Sequence, residues 1–162
     1  MSKIKLSILL LISFSIFSCT NNQINYSTHK YSLAYISGEY DGLLLRNYLM
    51  SSLLKLNIYD KNSNFEIHAD VGHSSNLYIT NTDNTSDREK ISTKLSVKIF
   101  DKISNCEVFK SEINVSQFYI YAPSDKFLSN QTAVKKIKKN NTESTARQFI
   151  KQLKNIENKC NE

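Results

Sequence analysis

The 162-residue sequence contains only three glycines, one proline and three cysteines. It has no glycine-rich phosphate loop, and it lacks the G-x-S-x-G and H-E-x-x-H motifs of serine hydrolases and zinc proteases. The cysteines form no C-x-x-C pair and no Cys/His spacing typical of zinc. We therefore expect a protein that is not an enzyme and that uses no cofactor and no metal. Because Gly and Pro are scarce, we expect Asn and Asp to form many turns.

The N-terminus has the features of a lipoprotein export signal. Lys3 and Lys5 precede an apolar run, Leu6–Phe17, and a serine precedes Cys19. The run is shorter than the roughly 20 residues that a membrane-spanning helix needs. We expect residues 1–18 to be removed and Cys19 to become the lipid-attached N-terminus, which several acyl chains would hold in the membrane. An ordinary secretory signal is the alternative.

The remaining chain has the length of one domain. Removing 18 residues from 162 leaves 144, enough for a sizeable core. Residues 19–30 are polar without an apolar repeat, as in a tether, residues 31–158 are predicted to form a single α+β domain, and residues 159–162 form a tail. The signal holds two of the 21 basic residues and none of the 15 acidic ones, so the mature net charge is +4. Such a charge suits lipid phosphates, but it is also ordinary for solubility.

Apolar periodicity predicts the first half of the fold. Alternation begins at Tyr31, and from about Asp41 the residues Leu45, Leu49 and Leu53 form one face of a helix of about four turns. Alternation returns over residues 66–80. These patterns predict a strand, a helix and a second strand.

The second half begins after a polar loop at 81–87. Over residues 90–101, Leu95, Val97 and Ile99 are predicted to face a core. Lys94, Ser96 and Lys98 are predicted to face solvent. A further strand is expected over 106–121. A helix is expected between residues 129 and 157, where Asn140-Asn141 either interrupts it or lies within it. The sequence thus predicts a two-layer α+β sandwich of order β-α-β-β-β-α, with about four mainly antiparallel strands covered on one face by two helices.

One group of residues resembles the beginning of a metal site. His68 and Asp70 point to the same side of a predicted strand, and His73 follows closely. A periplasmic metal-dependent hydrolase using these three residues is a rival function. Because no further ligand is clearly placed nearby, a polar strand face is the better interpretation.

Basic residues occur in two groups. Arg88, Lys90 and Lys94 follow the polar loop, and four lysines fall at 135, 136, 138 and 139. Either group is a solvated face or contacts a phosphorylated lipid or an acidic partner. The moderate charge and core-facing aromatic residues argue against nucleic acid as a partner.

The two remaining cysteines leave two alternatives. Cys106 lies at a predicted hairpin end and Cys160 lies beyond the last helix. They form either a disulfide that closes a loop of about 54 residues or two free thiols, and export makes oxidation feasible.

The chain resembles the LPS-assembly lipoprotein family. The resemblance rests on the lipobox cysteine, the order of elements and three segments: Lys90–Asp101 (KISTKLSVKIFD), Phe118–Tyr121 (FYIY) and Thr142–Leu153 (TESTARQFIKQL). It covers nearly the whole mature chain by pattern. The sequence departs from the family at Phe17 in the lipobox and at Thr20-Asn21, where many relatives have Gly-Phe.

The resemblance implies a non-catalytic outer-membrane lipoprotein on the periplasmic face of the cell outer membrane. Its implied partner is the β-barrel translocon that inserts lipopolysaccharide into the outer leaflet, which such proteins assemble and plug. Lipopolysaccharide itself is a second implied partner, with Arg88, Lys90 and Lys94 as candidate contacts to its phosphates. The residues after Cys19 lack the aspartate that commonly retains lipoproteins in the inner membrane. A pilotin or scaffold of another envelope machine is an alternative with the same fold and anchor.

Overall fold

A computed structural model describes residues 29–79, 86–120 and 127–156, together with Cys160. The predicted signal, the lipid-attachment cysteine and most of the predicted tether lie outside the described residues, as does most of the predicted tail. The predicted polar loop at 81–87 is described only from Ser86, where a strand begins.

The described chain forms one sheet and two principal helices. The elements are β1 (Tyr31–Ser37), α1 (Glu39–Lys55), β2 (Phe65–Ile79), β3 (Ser86–Asp101), β4 (Cys106–Ile120) and α2 (Phe127–Gln152), which continues into a short 3-10 turn at Leu153–Asn155. The strands lie in the order β1-β2-β3-β4. The β1–β2 pair is parallel and the other two pairs are antiparallel. The predicted α+β class and element order are confirmed.

The core lies between the two helices and one face of the sheet. Leu95, Val97 and Ile99 of β3 are at most 1% exposed, whereas Lys94 and Lys98 are exposed, so the predicted facing is confirmed. Successive side chains of a strand point to opposite faces, and the helices bury only one of them. The helices contribute a set of buried apolar side chains: Leu45, Leu49, Leu53, Ala146, Phe149 and Ile150. We call the opposite side of the sheet the open face.

The turn from β1 into α1 depends on Gly38. Its φ of 116° lies in the region that only glycine adopts readily, and a Cβ there would lie 2.6 Å from the carbonyl oxygen of Val71. This sharp turn lets α1 begin at Glu39, two residues before the start predicted at Asp41.

Asparagine and aspartate form turns, as expected for a chain poor in glycine. Asn57 after α1 and Asn105 between β3 and β4 adopt positive φ values of 57° and 50°. The carboxylate of Asp101 accepts a hydrogen bond from the Ile103 amide at 2.9 Å and closes the β3–β4 turn.

Helix α2 runs without interruption through Asn140-Asn141. The side chain of Asn141 is fully buried, and its Nδ2 donates to the carbonyl oxygen of Ile91 at 3.2 Å. The hydroxyls of Thr142 and Thr145 donate to carbonyl oxygens of α2 itself, each at 2.9 Å. The Asn141 amide nitrogen and the two threonine hydroxyls thus have partners, and the helix continues through Asn140-Asn141.

A disulfide joins Cys106 at the start of β4 to Cys160, with their Cα atoms 6.1 Å apart. It ties the chain beyond α2 to the end of the sheet at which β1 begins, because Cys106 pairs with Asp101 and Asp101 pairs with Phe65. Among the described residues, neither helix combines the length and the apolar character needed to cross a bilayer.

Candidate functional site

The three basic residues predicted to contact phosphate all lie on the open face of β3. Because alternate residues of a strand share a face, Arg88, Lys90 and Lys94 lie on the same side of β3 as Lys98. This side faces away from the helices. The structure places Arg88 and Lys90 together near the β2–β3 connection. Lys94 lies farther along the strand in a different environment.

Arg88 and Lys90 lie among apolar side chains of the neighbouring strands. Arg88 is the cross-strand partner of Tyr78 on β2 and of Ile120 on β4, and Lys90 is the partner of Phe118. The Lys90 Nζ lies 5.8 Å from the centre of the Phe118 ring, within the range of a cation–π contact. The rings of Tyr78 and Phe118 meet edge to face, with centroids 5.5 Å apart.

We call these five residues the distal patch, because they lie at the end of the sheet opposite Tyr31. Its apolar side chains are open to solvent: Tyr78 is 42% exposed, Phe118 57% and Ile120 77%. Leu77, which points to the other face, is also 62% exposed, so the sheet projects beyond its helical cover at this end. Contiguous exposed apolar surface of this kind marks a site of contact with a ligand, a membrane or a partner.

Lys94 lies outside the distal patch and pairs with a carboxylate of the neighbouring strand. Its Nζ lies 2.9 Å from Glu112 Oε2 on β4, and both side chains are about half exposed. The Lys94 ammonium holds the pKa of Glu112 below its ordinary value through a hydrogen bond and its charge. The structure therefore divides the predicted trio into a pair in the distal patch and one ion-paired lysine.

A carboxylate also lies near the distal patch, but it points to the opposite face. Glu89 accepts hydrogen bonds from the hydroxyls of Ser75 on β2 and Tyr119 on β4. Because Glu89 falls between Arg88 and Lys90 along the strand, its side chain is directed away from theirs. Glu89 therefore bonds to groups on the helix-facing side of the sheet.

Sequence reasoning missed the apolar half of the distal patch, although a signal was present. The apolar residues of β4 occupy odd-numbered positions at Phe109, Ile113 and Val115. They occupy even-numbered positions at Phe118 and Ile120, which point to the opposite face. This change places the last two apolar side chains on the open face, and Phe118 and Ile120 are indeed exposed.

The structure does not bring the candidate metal ligands together. His68 and Asp70 are on the open face, where His68 Nε2 lies 3.0 Å from Glu66 Oε2 and Asp70 accepts a hydrogen bond from Ser37. His73 lies on the other face of β2, and its side chain points toward the helices. Within the described part of the chain, no three His, Cys, Asp or Glu side chains are grouped so that they could hold a metal ion. The geometry thus removes the triad on which the hydrolase interpretation rested.

His73 instead connects three elements. Its Nδ1 shares a hydrogen bond with the Thr93 hydroxyl of β3 at 2.8 Å, and its Nε2 lies 3.0 Å from Asp41 Oδ2 of α1. The Nε2 contact lacks hydrogen-bond geometry, so we treat it as electrostatic. Burial lowers the pKa of His73, and the positive charge of Lys138 lowers it further, whereas Asp41 raises it.

No protein-family model matches the sequence, and no curated protein matches it by sequence. Solved structures do match. Rare lipoprotein B from Shewanella oneidensis is similar with a TM-score of 0.64 and 12% identity, over 77% of this chain and 93% of that one. Lipoprotein B from Nitrosomonas europaea is similar with a TM-score of 0.62 and 10% identity, over 85% and 90%. A minor lipoprotein from Acinetobacter baumannii is similar with a TM-score of 0.61 and 15% identity, over 81% and 94%. This chain therefore shares its fold with a group of bacterial lipoproteins.

Proposed function

We propose that the chain is an outer-membrane lipoprotein that serves as a non-catalytic assembly and plug subunit of the lipopolysaccharide translocon. The proposal is supported by the predicted export signal ending at Cys19, by the pattern resemblance to the LPS-assembly lipoprotein family, and by the fold shared with bacterial lipoproteins. The proposed location is the periplasmic face of the outer membrane, and the proposed partners are a β-barrel and lipopolysaccharide.

The distal patch is the observation that carries the proposal. Lipopolysaccharide combines phosphates with acyl chains, so a surface that contacts it needs cations beside apolar side chains. Arg88 offers a planar fork for phosphate oxygens and Lys90 offers a point charge. Tyr78, Phe118 and Ile120 supply exposed apolar surface within the same patch.

The distal patch lies far from the end of the sheet at which β1 begins, as expected for a subunit that inserts one end into a partner. Tyr31, the first residue of β1, pairs with Phe65 at one end of β2, and Tyr78 lies near the other end. At roughly 3.3 Å per residue, these ends are about 40 Å apart. A lipid anchor attached through residues 19–30 would hold the first end, and the distal patch would project toward a barrel interior.

Affinity purification of the tagged, lipidated protein from detergent-solubilised envelopes tests the proposal. We expect a large β-barrel to co-purify, and we expect depletion of the tagged protein to reduce lipopolysaccharide at the cell surface. A matched variant, Ile120→Ser with Phe118→Ser, changes the patch without touching the core and should recover less barrel.

Two outcomes would contradict the proposal. Capture of a barrel that belongs to another envelope machine, with surface lipopolysaccharide unchanged on depletion, would favour the pilotin or scaffold alternative. Recovery of no barrel from envelopes that contain the lipidated protein would remove the proposed partner altogether.

A further inference from the structure

A groove of about 700 Å³ lies between the first turns of α1 and the first half of α2, on the helix side of the sheet. It is separate from the distal patch, which occupies the open face. Its lining is largely apolar, with a rim of ammonium groups. The lining residues are Tyr40, Asp41, Leu44, Thr132, Lys135, Lys136, Lys138 and Lys139. We call it the lysine groove.

The four lysines concentrate positive charge on one stretch of helix. Lys135 and Lys139 are four residues apart, and two further pairs among the four are three apart, so like charges are neighbours on the helix surface. Among the described residues, none of these ammonium groups forms an ion pair. The helix thus carries a local excess of positive charge that a bound anion would offset.

One carboxylate also lines the groove. Asp41 Oδ2 is held 3.0 Å from the ring of His73, and the Asp41 side chain is only 25% exposed. The described lining therefore carries four ammonium groups and one carboxylate, and its net charge is positive.

The groove also offers apolar contact beside its charges. Tyr40 is 77% exposed, and Leu44 is half-buried on the same side of α1. The aliphatic stems of lysines add to such a surface while their ammonium groups reach solvent. A ligand suited to the groove combines negative charge with an apolar group.

We propose that the lysine groove is a docking site for an acidic segment of a partner protein. From Thr132 to Lys139 the groove follows the helix for about 10 Å, and its cations are separate points along that length. This arrangement matches carboxylates spaced along a peptide, with an apolar side chain packed on Tyr40 and Leu44. Among the described lining residues there is no arginine, whose planar fork is the group that best matches a phosphate. The inference does not depend on the proposed role in lipopolysaccharide transport.

Binding of a labelled short peptide that repeats Glu-Glu-Leu to the purified full-length protein in detergent tests the proposal. We expect replacement of the four groove lysines by Gln to weaken binding at least about tenfold. Replacing four exposed lysines elsewhere, Lys61, Lys102, Lys110 and Lys151, removes the same charge and should change affinity less than about twofold. A peptide with Ser in place of Leu should bind less tightly to the unmodified protein, and Tyr40→Ser should reduce that difference.

Thermal unfolding shows whether each variant is folded. If the fourfold variant unfolds, the double variant Lys135→Gln with Lys139→Gln replaces it in the binding test. Equal losses for the groove and control sets would leave only generic electrostatics and overturn the proposal. An affinity for the peptide that is unchanged in both the groove variant and the control variant would also overturn the proposal. A second assay measures binding of the same variants to vesicles that contain phosphatidylglycerol. If vesicle binding depends on the groove lysines and peptide binding does not, the groove binds lipid headgroups and the proposal is wrong.

Discussion

Asp41 Oδ2 lies 3.0 Å from His73 Nε2, and this contact joins the first turn of α1 to strand β2. The other ring nitrogen of His73 bonds to Thr93 on β3. One imidazole thus links the helical layer to two strands. Its surroundings oppose a second proton, because burial outweighs the favourable charge of Asp41 and Lys138 adds repulsion.

The lowered pKa of His73 predicts a loss of stability in mild acid. Since the folded chain holds this proton less tightly than the unfolded chain, the contribution to stability is fully present above the ordinary pKa of 6.5. It is lost progressively as pH falls from there through the lower pKa of the folded state. We expect denaturant unfolding to show a lower free energy of unfolding at about pH 5 than at about pH 7. His73→Gln should flatten this part of the profile. His68→Gln on the open face is the matched control, and an identical change in both variants would contradict the assignment to His73.

The facing of β3 predicts opposite responses at adjacent positions. Val97→Asp places a carboxylate where the side chain is 1% exposed, and we expect it to lower the free energy of unfolding by on the order of 3 kcal/mol. Lys98→Asp replaces an exposed side chain whose Nζ lies 3.2 Å from Glu107, so it should cost about 1 kcal/mol or less. Thermal or denaturant unfolding measures both. Similar destabilisation by the two variants would show that the facing is wrong.

The disulfide predicts a dependence of stability on reductant. Cys106 and Cys160 are 54 residues apart, and a bond that closes a loop of this size stabilises by about 2 to 4 kcal/mol through restriction of the unfolded chain. Unfolding with and without reductant should reveal this difference. The double variant Cys106→Ser with Cys160→Ser should match the reduced protein and should not respond to reductant. A reductant effect that persists in the double variant would have another origin.

The separation of Lys94 from the distal patch predicts unequal effects on lipopolysaccharide binding. Arg88→Ser with Lys90→Ser should weaken binding at least about tenfold, because charge-assisted contacts to phosphate contribute about 1.5 to 3 kcal/mol each when desolvated. Lys94→Ser should have a small effect, since Glu112 already pairs with that ammonium.

Loss of the four groove lysines serves as a charge control for this measurement, and binding should be compared at two salt concentrations. Folding and barrel association should remain intact in the variants of Arg88, Lys90 and Lys94. Equal losses for the patch and groove variants, both abolished by salt, would indicate non-specific attraction.

The predicted anchor is tested at Cys19. Cys19→Ala removes the thiol that would accept the lipid, so the variant should be uncleaved by the lipoprotein peptidase or released as a soluble protein. Incorporation of labelled fatty acid and membrane fractionation measure this. Equal labelling of the variant and the unmodified protein would contradict lipid attachment at Cys19.

Much of the fold was predictable because its signals are local. The alternation of Leu95, Val97 and Ile99 reflects the period of a strand, and the spacing of Leu45, Leu49 and Leu53 reflects that of a helix. These patterns determined the α+β class, the order of elements and the buried face of β3 before any contact between elements was known.

Tertiary structure decided which residues act together. Arg88, Lys90 and Lys94 look alike in sequence, but the register of β4 places Phe118 beside Lys90 and Glu112 beside Lys94. Asn141 is unfavourable for a helix by its own preference, but its side chain donates a hydrogen bond to the Ile91 carbonyl oxygen of β3 in the folded protein. His68 and His73 are close in sequence, yet the pleat of β2 sends their side chains to opposite faces.

The lysine groove illustrates the same limit of local information. Tyr40 and Lys135 are far apart in the chain, and only the packing of α1 against α2 brings them to one groove. Sequence by itself determined the elements and their buried faces, because both follow from short-range periodicity. The two candidate sites were decided by strand register and helix packing, which depend on contacts between residues distant in sequence.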